Sequence, residues 1–404
     1  MRLLVFNCGS SSLTFKILET DGKIYNVFLY GKAHRVGVKG IEESFIEISY
    51  KDKCEKIVTS LRNHKESAEI VIDFLIKNSI KPDGIGHRFV HGGDYFKGNT
   101  LIDEKNIDTL RKCLPLAPIH NSISLSVIEV CRRKYPDVRE FVVFDNFFHK
   151  TIPEIHSRYL LPKNLIEKFG FKKYGFHGLS YYYVTKKIYE ILNLDIEKDE
   201  LKVVACHLGT GGSSVCAIKN GKSIDTSMGY SPNSGLMMST RTGDIDPMLL
   251  FYIMYLYRIN VEELIDLINK KSGILGISGF SSDLRDVINA ILKEKKENAK
   301  LAFEMYTYRL KKYVSSYIFL LKGIDVLIFT DDIGVKNPLV REKICENMDW
   351  AGIVIDKEKN KNINEKEINF IHKEESKVKI AVIPTDEEIV IAWEGYKLIK
   401  EIIK

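Results

Sequence analysis

Two stretches of the chain share one pattern of apolar and polar positions. Residues 3 to 18, LLVFNCGSSSLTFKIL, run apolar, turn through Gly and Ser, and run apolar again. Residues 203 to 218, VVACHLGTGGSSVCAI, do the same. Each continues into a second polar turn, ETDGKIY in the first case and KNGKSID in the second. The pattern predicts strand–turn–strand, with Gly relieving the backbone at the bend. The two copies stand about two hundred residues apart, half the chain. That spacing predicts two similar domains and not a solenoid, whose repeats span about 20–50 residues.

Between the hairpins the periodicity changes. KESAEIVIDFLIKNS (65–79) and ISLSVIEVCRRKY (123–135) carry apolar residues at helical spacing. FVVFDNFF (141–148) and VLIFTDD (326–332) are short apolar runs with polar ends, the signature of buried strands whose tips carry function. VEELIDLINKKSG (261–273) predicts a helix with Gly273 as its stop, and residues 298–323 predict a long one. The polar stretch from Asn360 to Glu375 reads as a surface insertion. The class is α/β, with a domain boundary near residue 150.

Composition narrows the picture. The chain has 404 residues, enough for about two or three domains. With 45% hydrophobic and 10% aromatic residues it is not a disordered chain. There are 60 Lys+Arg and 54 Asp+Glu, a formal charge of +6. The Lys-rich stretches (293–296, 357–361) are interrupted by Glu and Asn and read as solvated faces, so no nucleic-acid partner is expected. No segment approaches the ~18 uninterrupted apolar residues of a membrane helix, and no membrane partner is expected. The apolar run from Leu3 to Phe6 is too short for a signal-peptide core. Seven Cys without a CxxC pair point to a reducing, cytoplasmic compartment. Cys8 stands apart by lying in the first Gly/Ser turn.

The candidate chemistry sits at the ends of apolar runs. A Gly/Ser/Thr turn gathers backbone N–H groups and hydroxyls that suit phosphate oxygens. Ser10 and Ser12 belong to the first such turn, and Gly209, Thr210 and Gly211 to the second. GHRFVHGG (86–93) carries Arg88, and LAPIHN (116–121) is a Pro-punctuated loop opening a helix. VVFDNFFH (142–149) puts Asp145 at a strand tip, and KYGFHGLS (173–180) carries His177. DTSMGYSPNSGLMMSTRTGDIDP (225–247) carries Arg241, Asp244 and Asp246, and IPTDEEIVIA (383–392) opens a last helix at Glu387. Singly, each has an ordinary structural reading. A buried Arg beside a carboxylate is an ion pair. His91, His120 and His149 are hydrogen-bonded loop or core residues, and Asp244 or Asp246 caps a helix. Together, Arg88, Arg241, His177, Asp145 and two phosphate-type turns make up the parts of a phosphoryl-transfer site. No G-x-S-x-G elbow and no Walker A sequence is present.

In combination, FNCGSSS, GHRFVHGG, PLAPIHN, YGFHGLS, DTSMG, STRTGDIDP and IPTDEE resemble the acetate kinase family of the acetate and sugar kinase, heat-shock 70 and actin superfamily. The resemblance spans nearly the whole chain. It implies two duplicated actin-like (ribonuclease-H-like) α/β domains with a central cleft, residues 1–150 with a C-terminal helix 386–404, and 151–385. It implies that Asn7 and Glu387 help hold Mg²⁺, with Mn²⁺ as an alternative. Arg88 and Arg241 would grip the acyl carboxylate and the phosphoryl group. His177 would stabilise the transition state, joined by His120 and by His207 at the phosphate. Asp145 would orient Arg88 or a metal-bound water. Val90, Ile119, Phe176 and Pro232 would form the pocket for the acyl methyl. A homodimer built through the C-terminal domain is also implied.

The departures from the family pattern concern the second substrate. The usual Gly-Gly-Ile-Gly-Glu-Asn nucleotide segment is here Asp331, Asp332, Ile333, Gly334, Val335, Lys336, with Asn337 following. Two positions that let a purine approach the backbone have become carboxylates, and Val335 removes a polar group. Thr14 stands where a Lys is usual and Thr210 where an Asn is usual. These features resemble the diphosphate-linked amoebic type, which converts acetyl phosphate and phosphate to acetate and diphosphate. ATP/ADP-dependent acetate or propionate kinase is the alternative. A silent binding homologue and a sugar kinase are the remaining readings.

Overall fold

The first repeated segment folds as strands β1 (Arg2–Cys8) and β2 (Ser12–Thr20), antiparallel in the register Val5 opposite Lys16 and Asn7 opposite Thr14. The sheet extends through β3 (Tyr25–His34), β4 (Phe45–Tyr50) and β5 (Lys53–Val58) on one side. On the other side lie β6 (Gly84–Phe89), β8 (Arg139–Phe144) and the short β7 (Thr100–Leu101). β6 runs parallel to β1, and β8 parallel to β6. The computed structural model describes residues 1–38, 43–51 and 53–403 and divides into two units, Met1–Phe147 with the stretch from Asp386, and Phe148–Thr385. The last residue of the expected C-terminal helix, Lys404, lies outside the described residues.

In the first unit, side chains alternate along β1. Leu4, Phe6 and Cys8 join one cluster with Phe15, Ile72, Val127 and Cys131, from β2 and the helices His64–Lys77 and Pro118–Lys134. The final helix, Glu387–Ile403, lies against β1, β6 and β8. Its approach requires Gly395, where an added Cβ would lie 1.9 Å from Phe141 Cζ.

The second repeated segment folds as β9 (Lys202–Leu208) and β10 (Ser213–Lys219), again an antiparallel pair. β11 (Lys222–Thr226) extends the sheet beyond β10, with β12 (Val326–Thr330), β14 (Lys379–Val382) and β13 (Asn369–Phe370) on the far side. β12 is parallel to β9, and β14 to β12. The order β11-β10-β9-β12-β14 therefore reproduces β3-β2-β1-β6-β8. Val203 and Ala205 pack with Tyr181, Val184 and Ile188 of the helix Gly178–Ile191 on one face. Val204, Cys206 and Leu208 pack on the other, in a cluster that includes Tyr306, Leu310 and Val314 of the helix Glu297–Leu320. Burying each such aliphatic side chain stabilises the fold by about 1.5–3 kcal/mol. No helix of the described residues is long and apolar enough to cross a membrane.

Two expectations are corrected. Gly273 does not end the helix that begins at Val261. That helix stops at Lys270, and Gly273 (φ 63°) opens the next, Gly273–Ser278. An added Cβ at Gly273 would lie 2.1 Å from Met238 O, so close backbone approach and not chain termination selects Gly there. The stretch from Asn360 is not wholly a surface insertion. Asn360 is buried, and Asn369–Phe370 form an edge strand of the sheet. Polar composition misled because Asn360 has an internal partner, the fully buried Arg341.

Arg341 donates to Asn360 Oδ1 (2.7 Å), Asn360 O (2.7 Å), Gly334 O (2.9 Å) and Val335 O (2.5 Å). It thereby satisfies the last carbonyls of the short helix Asp331–Lys336 that follows β12. Replacing it by Met leaves those acceptors buried and unpaired. Arg341→Met is expected to lower the unfolding free energy by about 2–4 kcal/mol in urea titration.

Candidate active site

Parallel strands present their C-terminal ends together, and in the first unit three such ends carry polar residues. Asn7 lies near the end of β1, Arg88 near the end of β6, and Asp145 directly after β8. Arg88 Nη2 donates to Asp145 Oδ2 at 2.7 Å, and Nη1 donates to Asn7 Oδ1 at 3.1 Å. Glu387 Oε2 stands 3.7 Å from Arg88 Nη1. Asn7 Nδ2 donates to Glu387 Oε2 (3.1 Å) and Glu388 Oε1 (2.8 Å). Burial opposes the charge on Arg88, but Asp145 and Glu387 outweigh it and push the guanidinium pKa up. Asp145 Oδ1 is buried with no hydrogen-bond partner.

Sequence reasoning missed three members of this network. Lys16 Nζ pairs with Asp386 Oδ2 (2.8 Å) and Glu388 Oε2 (3.1 Å). Thr14 therefore does not leave this part of the unit without a cation, because Lys16 follows it on the same face of β2. The alternation of β2 was the available signal. Adjacent Asp386 and Glu388 were readable only as the start of a helix.

The first turn is closed by Gly9 N–H donating to Ser12 O at 2.9 Å. His64 Nε2 lies 2.9 Å from Gly9 O and 3.2 Å from Ser12 O and pins the turn from below. Burial lowers the His64 pKa. Ser10 is exposed and Ser12 partly so. Burial pushes the Cys8 thiol up to about 12, so it is no nucleophile at neutral pH.

The second unit repeats the turn 200 positions later, with Gly209 N–H donating to Gly212 O at 3.0 Å. Gly211 is open around its Cβ position. His177 precedes the helix Gly178–Ile191 with φ 59°, a left-handed backbone that is costly for a residue with a side chain. Its ring stacks on His207 with centroids 4.0 Å apart. A Cβ on Gly212 would meet both Arg241 Nη1 (3.4 Å) and His177 Nε2 (3.5 Å). Arg241, His177, His207 and the turn thus converge. Burial alone lowers the Arg241 pKa. No carboxylate lies within ion-pair distance of it among the described residues.

Asp331 and Asp332 fold onto this same turn. Asp331, itself left-handed at φ 64°, places Oδ2 3.1 Å from His207 Nε2, and 2.2 Å from where a Gly209 Cβ would stand. Asp332 accepts from Thr210 N–H and from the Thr210 hydroxyl, both at 2.9 Å. Gly334 and Val335 are buried behind them in the helix Asp331–Lys336.

The expected acyl-pocket residues divide between the units. Val90 is buried just after β6, while Ile119 is exposed and His120 partly buried at the start of the helix Pro118–Lys134. Phe176 is buried and Pro232 partly exposed in the second unit. The ordinary readings hold elsewhere. His149 is buried against Phe176 O (2.9 Å) and Ser223 Oγ (2.8 Å), Asp246 caps the helix Pro247–Tyr257, and Asp244 accepts from Gly235 N–H at 2.7 Å.

Comparison with known proteins identifies the family. The profile of the acetokinase family matches residues 2–393. The chain is 44% identical over 410 residues to the acetate kinase of Thermoanaerobacter pseudethanolicus, covering 99% of each chain. Among solved structures, the acetate kinase of Entamoeba histolytica is 41% identical, with a TM-score of 0.89 over 99% of this chain and 100% of that one. A propionate kinase from Francisella tularensis subsp. tularensis is 35% identical, with a TM-score of 0.88 over 98% and 99%.

The two arginines differ in a measurable way. Removing Asp145 strands the buried Arg88 charge, so Asp145→Ala is expected to cost about 3 kcal/mol of stability. Arg241→Ala breaks no ion pair and is expected to change stability by less than about 1 kcal/mol. Equal losses in denaturant titration would contradict the pairing described.

Proposed function

Because the chain belongs to the acetokinase family, we propose that it is an acetate kinase that joins acetyl phosphate and inorganic phosphate into acetate and diphosphate. The observation that carries the choice of phosphate over nucleotide is the placement of Asp331 and Asp332 on the turn at 209–212. A purine and its ribose need bare backbone to lie against. Here two carboxylate side chains stand on that backbone, and one of them occupies the Thr210 N–H that a phosphate oxygen would use. A small inorganic anion needs no base-binding surface.

The chemistry needs no strong base, because a short-chain carboxylate is already ionised near neutral pH. The tasks are neutralising charge and holding acyl oxygen and phosphorus in line. Arg241, His177 and His207 serve the phosphoryl oxygens. Arg88, oriented by Asp145, serves the acyl carboxylate, and Val90, Ile119 and His120 of the same unit serve its methyl group. Asn7, Glu387 and Asp145 Oδ1, which is unpaired among the described residues, bring oxygen atoms, the donor type that suits a hard divalent cation such as Mg²⁺. Asn7 and Glu387 would hold that ion, which would supply charge neutralisation at the phosphate.

A second copy of the chain is the proposed partner. The helix Pro247–Tyr257, PMLLFYIMYLY, exposes Phe251, Tyr255 and Leu256 by 64, 80 and 69%. An apolar face of that extent marks an association surface. Tyr255→Glu with Leu256→Glu is expected to turn a dimer into a monomer in analytical ultracentrifugation.

The donor is tested by offering acetyl phosphate with either phosphate or ADP. Diphosphate formation is expected, and robust ATP formation at ordinary ADP would overturn the reading. No turnover with any acceptor would favour a silent binding homologue. Arg88→Ala and Arg241→Ala are each expected to lower kcat by roughly 10²–10⁴-fold. The pair Asp331→Gly and Asp332→Gly is expected to improve the use of ADP at least tenfold.

A further inference from the structure

His177 Nδ1 lies 2.8 Å from Ser214 Oγ, and Ser214 Oγ lies 2.5 Å from the Tyr181 hydroxyl. Ser214 sits on β10, and Tyr181 one helical turn beyond His177 on the helix Gly178–Ile191. Both are fully buried. A chain of three groups with two hydroxyl protons can run in either direction, and the direction decides which nitrogen of the imidazole carries its proton. If Ser214 donated to Tyr181, the phenol proton would need another acceptor. Among the described residues, the phenol oxygen's other hydrogen-bond neighbour is the His207 backbone N–H, which is itself a donor. The phenol proton therefore goes to Ser214, and the Ser214 proton to His177 Nδ1. Nδ1 is then an acceptor, and the ring proton resides on Nε2.

Nε2 is the nitrogen that faces the Gly212 corner alongside Arg241 Nη1. The charged groups around the ring reinforce this state. Arg241 lies on one side, and His207 stacks on the ring with Asp331 Oδ2 at its own Nε2. A second cation at His177 would be repelled by Arg241. Asp331 stands at His207, the other ring of the stack.

We propose that Tyr181 and Ser214 are positioning residues that fix His177 as the neutral, Nε2-protonated tautomer, so that it donates a hydrogen bond to the transferred phosphoryl oxygens and does not accept a proton. The catalytic part rests on the acetate kinase reading, whereas the tautomer does not.

Long-range ¹H–¹⁵N correlation of His-labelled full-length protein at neutral pH tests the tautomer without turnover. The His177 pattern is expected to show protonated Nε2 and unprotonated Nδ1. A protonated Nδ1, or an imidazolium, would overturn the proposal. Ser214→Ala and Tyr181→Phe are each expected to mix the tautomers and lower kcat by about 10–100-fold with KM changed less than threefold. Ser214→Thr, which keeps the hydroxyl, is expected to restore both. Loss of thermal stability with an unchanged tautomer and kcat would reduce the pair to a structural role. Normal turnover by His177→Gln would remove His177 from the reaction, while the spectrum would still decide the tautomer.

Discussion

The pairing of Arg88 with Asp145 sets the terms for the first unit. A guanidinium held among strand ends, largely out of water, persists only beside a carboxylate that offsets its desolvation. Asp145 supplies that partner at 2.7 Å to Nη2, and Nη1 points toward Asn7 and Glu387. Arg88 and Lys16 face Asp145, Asp386, Glu387 and Glu388. Two cations against four carboxylates leave a formal excess of two negative charges, which a divalent cation would balance. The second unit is built differently. Arg241 has no carboxylate within ion-pair distance among the described residues, and the carboxylates at its turn, Asp331 and Asp332, are engaged by His207 and Thr210. Under the proposed function, the first unit would offer oxygens to a cation, and Arg241 and the imidazoles of the second would offer donors to an anion.

Duplication explains why both units have a turn at the same place, and divergence explains what each turn does. In both, an antiparallel hairpin leads into parallel strands, so the hairpin turn comes to lie near the C-terminal strand ends. The first turn is fixed by the buried imidazole of His64, whose Nε2 serves two carbonyls. The second is fixed by Asp332 from the segment after β12. A carbonyl-binding imidazole takes no N–H group of its turn, whereas a carboxylate takes one.

Much of the fold was legible because the signals were local. The hairpins, the helix from His64 and the strands ending at Phe144 and Thr330 follow from periodicity and Gly/Ser turns alone. The motifs singled out Arg241, His177 and the turn as separate polar stretches, but their meeting at Gly212 is visible only in the structure. What escaped was non-local. Asn360 looked solvated because nothing nearby in sequence announces Arg341. Lys16, His64, Ser214 and Tyr181 each act through a partner at least 33 positions away, and a single sequence carries no sign of such pairs. Gly273 shows a different failure, in which a residue read as a helix stop is selected by close approach to the carbonyl of Met238.

Charge and shape bear differently on the second substrate. Asp331 and Asp332 against Arg241 leave one formal negative charge at the turn if both imidazoles are neutral, and this disfavours any polyphosphate, organic or not. Charge alone therefore does not separate ATP from diphosphate, because each brings several negative charges and each would need a cation. Shape does. Asp331 Oδ2 stands 2.2 Å from the Cβ position of Gly209, so this side chain covers the glycine and leaves no flat surface there. Swinging Asp332 away would free the Thr210 N–H for a phosphate oxygen, but it would still leave a side chain where a base would lie. On the proposed reading, an inorganic phosphate would meet only the first obstacle, whereas a nucleotide would meet both.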